Sequence, residues 1–200
     1  MMDAQQAWDG GLLDQFLLEW TYSHRYGIVV NNGDIDAVYD IARHVNLARS
    51  PFIPPLLKLR GLPVDQLDGR AFSARMGWTE LGQTPGAEFV IGYWRSHRTE
   101  RVASVEQFLH NTPGATQKVA FSFRFRRLGP DQVEVDTETR VLCIGRRSRW
   151  TFGLYWLAIK PFSTLIRKEI LKIIKHDAEA HARQAGLHAP LDTMREQRLP

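Results

Sequence analysis

Three small groups of residues have types and spacings that could do chemistry. His24 stands between Tyr22 and Tyr26 in "YSHRY". Alternate residues of a strand share a face, so one imidazole and two phenols would sit together. Such a cluster could orient a ligand or move a proton, because imidazole titrates near neutrality. A hydrogen-bonded, partly buried histidine at a sheet edge is the plainer role for the same pattern. Asp177 and His181 are four residues apart in a helical run, in line with Ile170 and Ile173. They could form an acid–base pair at a cavity mouth or supply two metal ligands. Polar residues where a helix leaves the core are the plainer account. His176 points elsewhere and no HExxH is present, so no metal is expected. Thr137 and Thr139 alternate with Val135 and Val141. Their hydroxyls could orient a ligand on an apolar face, or simply reflect the strand propensity of threonine. The chain has no Ser-His-Asp order, P-loop, glycine-rich dinucleotide loop or paired cysteines. His24, Asp177 and His181 are therefore the catalytic candidates, with no assigned role, and no cofactor is expected.

The elements that must position these groups read as follows. "LLDQFLLEW" (Leu12 to Trp20) has apolar residues at helical spacing. "TYSHRYGIVV" then switches to period two and predicts a strand. "NNGD" is a turn whose Asp34 caps the helix "IDAVYDIARHV". "SPFIPPLLKLRGLP" predicts a second short helix, closed near Gly61. From about Ala74 to Ile144 the chain reads as antiparallel strands, "ARMGWTELGQ" and "RVASVEQFL" included. Val119, Phe121, Phe123 and Phe125 share one face of a strand. Val133, Val135, Thr137, Thr139 and Val141 share a face of the next, and charges on the opposite faces can pair across the strands.

Helix is expected from about Arg146 to Gln184, roughly 58 Å if straight. A domain of this size is only about 40–45 Å across, so the helix must break or overhang. Pro161 is where it should break. Beyond it, Phe162, Ile166, Ile170, Ile173 and Ile174 form an apolar face, with Lys168, Lys172 and Lys175 on the other side.

The 200 residues suit one domain, with 1–20 as an N-terminal helical arm, 21–184 as the folded unit and 185–200 as a tail. Apolar content of 44% and charged content of 24% are ordinary for a globular chain. A single cysteine, Cys143, excludes an intrachain disulfide and a cysteine-based zinc site. No apolar run is long enough to span a bilayer, and the acidic N-terminus does not read as a signal peptide. A cytoplasmic protein is expected. The net charge of +4 is mild. Its basic residues cluster in the C-terminal third, Arg146, Arg147, Arg149, Arg167, Lys168, Lys172 and Lys175, and read as a solvated face. No nucleic-acid-binding motif accompanies them, so no nucleic acid is expected. An anionic membrane surface is the next candidate partner. "WTFGLYWLAI" is apolar nearly all round and must be covered or meet a partner. The N-terminal arm is the expected cover for Trp150 to Ile159, within the chain or across a homodimer.

"TETRVLCIGRRSRWTFGLYWLAIKPFSTLIRKEILKIIKHDAE" resembles the C-terminal region of a bacterial group within the START-like (SRPBCC, polyketide cyclase/dehydrase-like) superfamily. "RSPFIPPLLKLRGLP" and "GWTELGQTPGAEFVIG" are similar to the middle of that group. The resemblance covers roughly Ser23 to Gln184. It implies an α+β helix-grip fold, a curved antiparallel sheet gripping the C-terminal helix with a cavity between them. The segment after Pro161 would be the gripping helix.

Activity does not transfer with this fold. The leading expectation is binding of an apolar or amphipathic small molecule. Phe121, Phe123, Phe125, Ile166, Ile170 and Ile173 would form apolar walls, and Tyr22, His24, Tyr26, Thr137 and Thr139 would orient the ligand. The alternatives are a cyclase- or dehydratase-like enzyme in the same cavity and a peripheral lipid-transfer protein docking through the basic helix.

Overall fold

The computed structural model describes residues 11–96, 104–110 and 114–187. The readings made for 1–10, 97–103, 111–113 and 188–200 lie outside them. Five strands form one antiparallel sheet: β1 (Tyr22–Asn31), β2 (Thr79–Thr84), β3 (Glu88–Ser96), β4 (Ala115–Gly129) and β5 (Gln132–Cys143). Their spatial order is β1-β5-β4-β3-β2. Among the described residues six α-helices accompany them: α1 (Leu12–Phe16), α2 (Ile35–Arg43), α3 (Ile53–Leu59), α4 (Gly69–Arg75), α5 (Val105–Leu109) and α6 (Arg146–Leu187). Two short helices, α2 and α3, follow the first strand and a long C-terminal helix crosses the sheet. This is the α+β helix-grip arrangement.

The strand register turns the period-two pattern into rows that run across the sheet. Tyr93, Val119, Val141 and Tyr22 are successive partners, as are Ile91, Phe121, Thr139 and His24. Phe89, Phe123, Thr137 and Tyr26 form a third row. Helix α2 covers part of this face. Asp34 caps it, accepting from the Ala37 amide at 3.3 Å. Tyr39 on α2 packs edge-on against Phe125 and Phe89, at 5.3 and 5.8 Å between ring centroids. Helix α6 lies over β1. Tyr26 Oη and Thr164 Oγ1 are 2.7 Å apart, Lys175 Nζ donates to the Val29 carbonyl at 2.6 Å, and Glu179 accepts from the Asn31 amide at 3.0 Å.

The other face of the sheet is partly dry as well. Helix α1 packs Leu13, and just beyond it Leu17, against Leu81, Val90, Trp94, Phe108 and Ala120. Asp14 holds Arg140 at 2.5 Å, and Glu88 accepts from the Leu12 amide at 2.8 Å. The described part of the arm thus covers the sheet's outer face and not Trp150 to Ile159. Charges pair across this face as the alternation predicts, Arg126 with Glu134 at 2.6 Å and Arg25 with Asp136 at 2.7 Å.

Three expectations change. Helix α6 is continuous through Pro161, where a break was expected. Pro161 and Leu157, whose carbonyl loses its usual donor, are both exposed, so water can take that bond. Ala74 and Arg75, read as the start of a strand, are the end of helix α4, and the strand begins at Thr79. Asp68 caps α4 by accepting from the Arg70 and Ala71 amides. Residues Val105–Leu109 are helix α5 and not strand, because Ser104 accepts from the Gln107 amide and ends the extended backbone.

Candidate functional site

Between the middle of the sheet, helices α3 and α4, and the first two-thirds of α6 lies a cavity of about 830 Å³. Its floor comes from β3, β4 and β5, with Ile91, Tyr93, Phe121, Phe123 and Thr139 pointing in. One wall is Leu57 and Phe72, and the roof is Phe152, Trp156, Ile166 and Ile170 on α6. Trp78 stands at one side, stacked on Tyr93 (5.6 Å, 7°) and tilted against Phe121 at 4.9 Å. Tyr93 is half-buried, and desolvation raises the pKa of its phenol.

The polar group that dominates this cavity is Arg167. It sits on α6 between Ile166 and Ile170 and is only 8% exposed. Its Nη1 donates to the Thr137 hydroxyl at 2.9 Å. Its guanidinium lies over the Phe121 ring at 4.6 Å and the Phe123 ring at 5.6 Å. No carboxylate pairs with it among the described residues. Burial pushes its pKa down to about 10, so it stays charged at neutral pH.

The sequence placed Arg167 on a solvated basic face, and the structure corrects this. A helical-wheel reading puts it 20° from Ile174 and 60° from Ile170, at the edge of the apolar stripe and not on the lysine face, at about 100° per residue. That offset was the signal in the sequence. Trp78, Tyr93, Phe152 and Trp156 were also outside the predicted cavity set. Nothing short-range in the sequence says which strands and helices meet there.

Of the predicted cavity residues, Phe121, Phe123, Thr139, Ile166 and Ile170 line the cavity. Tyr22, His24 and Tyr26 stand on the same face of the sheet but outside that lining. Helix α6 lies directly on β1 and leaves no open space there. Tyr22 packs between Phe152 and Trp156, each at 5.6 Å, and donates to the Arg149 carbonyl at 3.3 Å. Phe125 and Ile173 belong to the close-packed core beneath α2. The Thr137 hydroxyl is engaged by Arg167.

His24 packs against Trp156 at 5.1 Å and Tyr26 at 5.6 Å, and neither ring nitrogen has a hydrogen-bond partner. Burial, then the positive charges of Arg167 and Lys160, lower its pKa to about 4. The ring is neutral at pH 7 and is a poor base. Asp177 and His181 are not brought together into a site. Asp177 is held by Arg49 from the 3-10 turn (Leu47–Arg49) before α3, and His181 is exposed further along α6.

No protein-family model matches the chain, and no curated protein does. Comparison with solved structures finds distant likenesses. A conserved protein from Geobacillus kaustophilus is 11% identical, covers 78% of this chain and 95% of its own, and superposes with a TM-score of 0.39. The hypothetical protein jhp0584 from Helicobacter pylori is 9% identical, with 78% and 88% covered and a TM-score of 0.41. The ZhuI aromatase/cyclase from Streptomyces sp. R1128 is 11% identical, with 82% and 98% covered and a TM-score of 0.39. None of these likenesses bears on the chemistry of the site.

Proposed function

We propose that the protein binds an apolar or amphipathic small molecule between the sheet and α6. The observation that supports this most is the cavity of about 830 Å³ with aromatic walls. Ligand sites typically occupy roughly 300–1,000 Å³ and are lined by apolar and aromatic groups with a few polar ones. Binding is favoured over acid–base catalysis by the composition of the lining. Its one carboxylate among the described residues, Glu80, is tied to Arg43 at 2.7 Å. His24 lies outside the lining and is held neutral.

The test is native mass spectrometry of protein purified gently, compared with its denatured mass. A reproducible extra mass that disappears on denaturation is the expected result, and extraction then identifies the compound. Widening the search to a panel of apolar and amphipathic compounds guards against loss during purification. A bare mass with no uptake from that panel overturns the proposal.

A further inference from the structure

The charge of the cavity says more about the occupant than its volume does. The charged residues of the described lining are Arg43, Arg60, Arg70, Arg95, Arg167 and Glu80. Glu80 is already neutralised by Arg43, so the space has a positive potential. Arg167 is the deepest of these charges. A buried cation without a counter-charge is costly to a fold, and such groups are normally paired. Here the guanidinium makes one hydrogen bond among the described residues, to Thr137, and Arg167 lines the cavity. Beside it, Thr139 carries a second unsatisfied group. Thr139 is the cross-strand partner of Phe121, over whose ring Arg167 lies. Thr139 lines the cavity, and its hydroxyl is buried with no hydrogen-bond partner.

We infer that the cavity takes a ligand with an apolar body and a single oxyanion, a carboxylate or its chemical equivalent, seated on Arg167. The inference rests on the cavity-binding reading. The aromatic walls take the apolar body, and the oxyanion supplies the counter-charge that the fold leaves out. A guanidinium suits this role because its planar fork can meet both oxygens of a carboxylate.

Two probes of nearly the same skeleton test it, anilinonaphthalene sulfonate, which is anionic, and N-phenylnaphthylamine, which is neutral. The full chain should bind the anionic probe at least about tenfold tighter, the scale of a charge-assisted hydrogen bond. Decanoate should displace it, and decanol should need at least about tenfold higher concentration to do so. Arg167→Met should remove the preference and leave affinity for the neutral probe within about twofold. Leu154→Glu, on the exposed side of α6, should leave the preference in place. Equal binding of both probes by the unaltered protein, or a preference that survives Arg167→Met, overturns the inference while the cavity-binding reading stands. Failure to bind either probe, or decanoate, overturns both. A preference lost in Leu154→Glu moves binding to the surface and also overturns the inference. The comparison on the unaltered protein decides the matter even where a variant fails to fold.

Discussion

Arg167 and His24 sit a short distance apart in the fold and respond in opposite ways to what surrounds them. Arg167 keeps its charge in a dry place, and His24 gives its charge up. Removing the unpaired cation should therefore not harm the empty protein. Replacing a buried charge by an apolar group of similar size is commonly neutral or stabilising. Arg167→Met should melt at the same temperature as the parent or higher when no ligand is present, and a clear drop on thermal denaturation would contradict this account of the site. The His24 ring has an unfolded-state value of 6.5 and a folded-state value of about 4. Above the higher value both states hold a neutral ring, and His24 adds no pH dependence. Between the two, the unfolded chain takes up a proton that the folded chain refuses. Stability should fall as pH drops from 6.5 towards 4 and this contribution should level off below. His24→Phe should flatten that part of the curve, as read from urea midpoints across the pH range.

Among the elements, α6 is where sequence and structure differ most instructively. The amphipathic stripe of Ile166, Ile170 and Ile174 was readable, because helical periodicity is local information. The alternating faces of β4 and β5 were readable for the same reason. Continuity through Pro161 was not, because proline's local penalty argues for a break and only tertiary support decides otherwise. The helices α4 and α5 were missed even though Asp68 and Ser104 sit at ordinary capping positions, and Ser104 with Gln107 has the spacing of a capping box. The site was legible on β4 and β5, at Phe121, Phe123 and Thr139, and illegible where it depends on which elements meet. Tyr22 and His24 show the limit. They are on the predicted face, but α6 rests on them. Pro161 sits exposed inside a continuous helix, so Pro161→Ala should stabilise the protein, by on the order of 1–3 kcal/mol. No gain in denaturant midpoint would mean that the proline ends one helix and starts another. Ile174, fully buried on the same helix, should cost about 2–5 kcal/mol when truncated to alanine, read by the same titration.

At the scale of the whole molecule, the sheet is covered on both sides by different means. The inner face carries α2, α3, α4 and α6 around the cavity, and the outer face is covered by α1 and α5. Leu13 and Leu17 are 3% and 4% exposed, so the arm is part of the core. Deleting residues 1–20 should bare Leu81, Val90 and Ala120, lower the melting temperature and increase binding of apolar dyes. An unchanged melt would show that the arm is dispensable. The exposed apolar residues of α6, Trp150 at 77%, Leu154 at 62% and Leu157 at 73%, receive no cover from the described residues of the arm. Beneath this same stretch lies Cys143, packed with Val119, Val141 and Phe152 and only 2% exposed. Burial raises the pKa of its thiol, and it is the one cysteine of the chain. An alkylating reagent can reach it only when the start of α6 lifts from the sheet. The labelling half-time of the unaltered protein is therefore a clock for that opening, and a ligand that bridges sheet and helix should slow it.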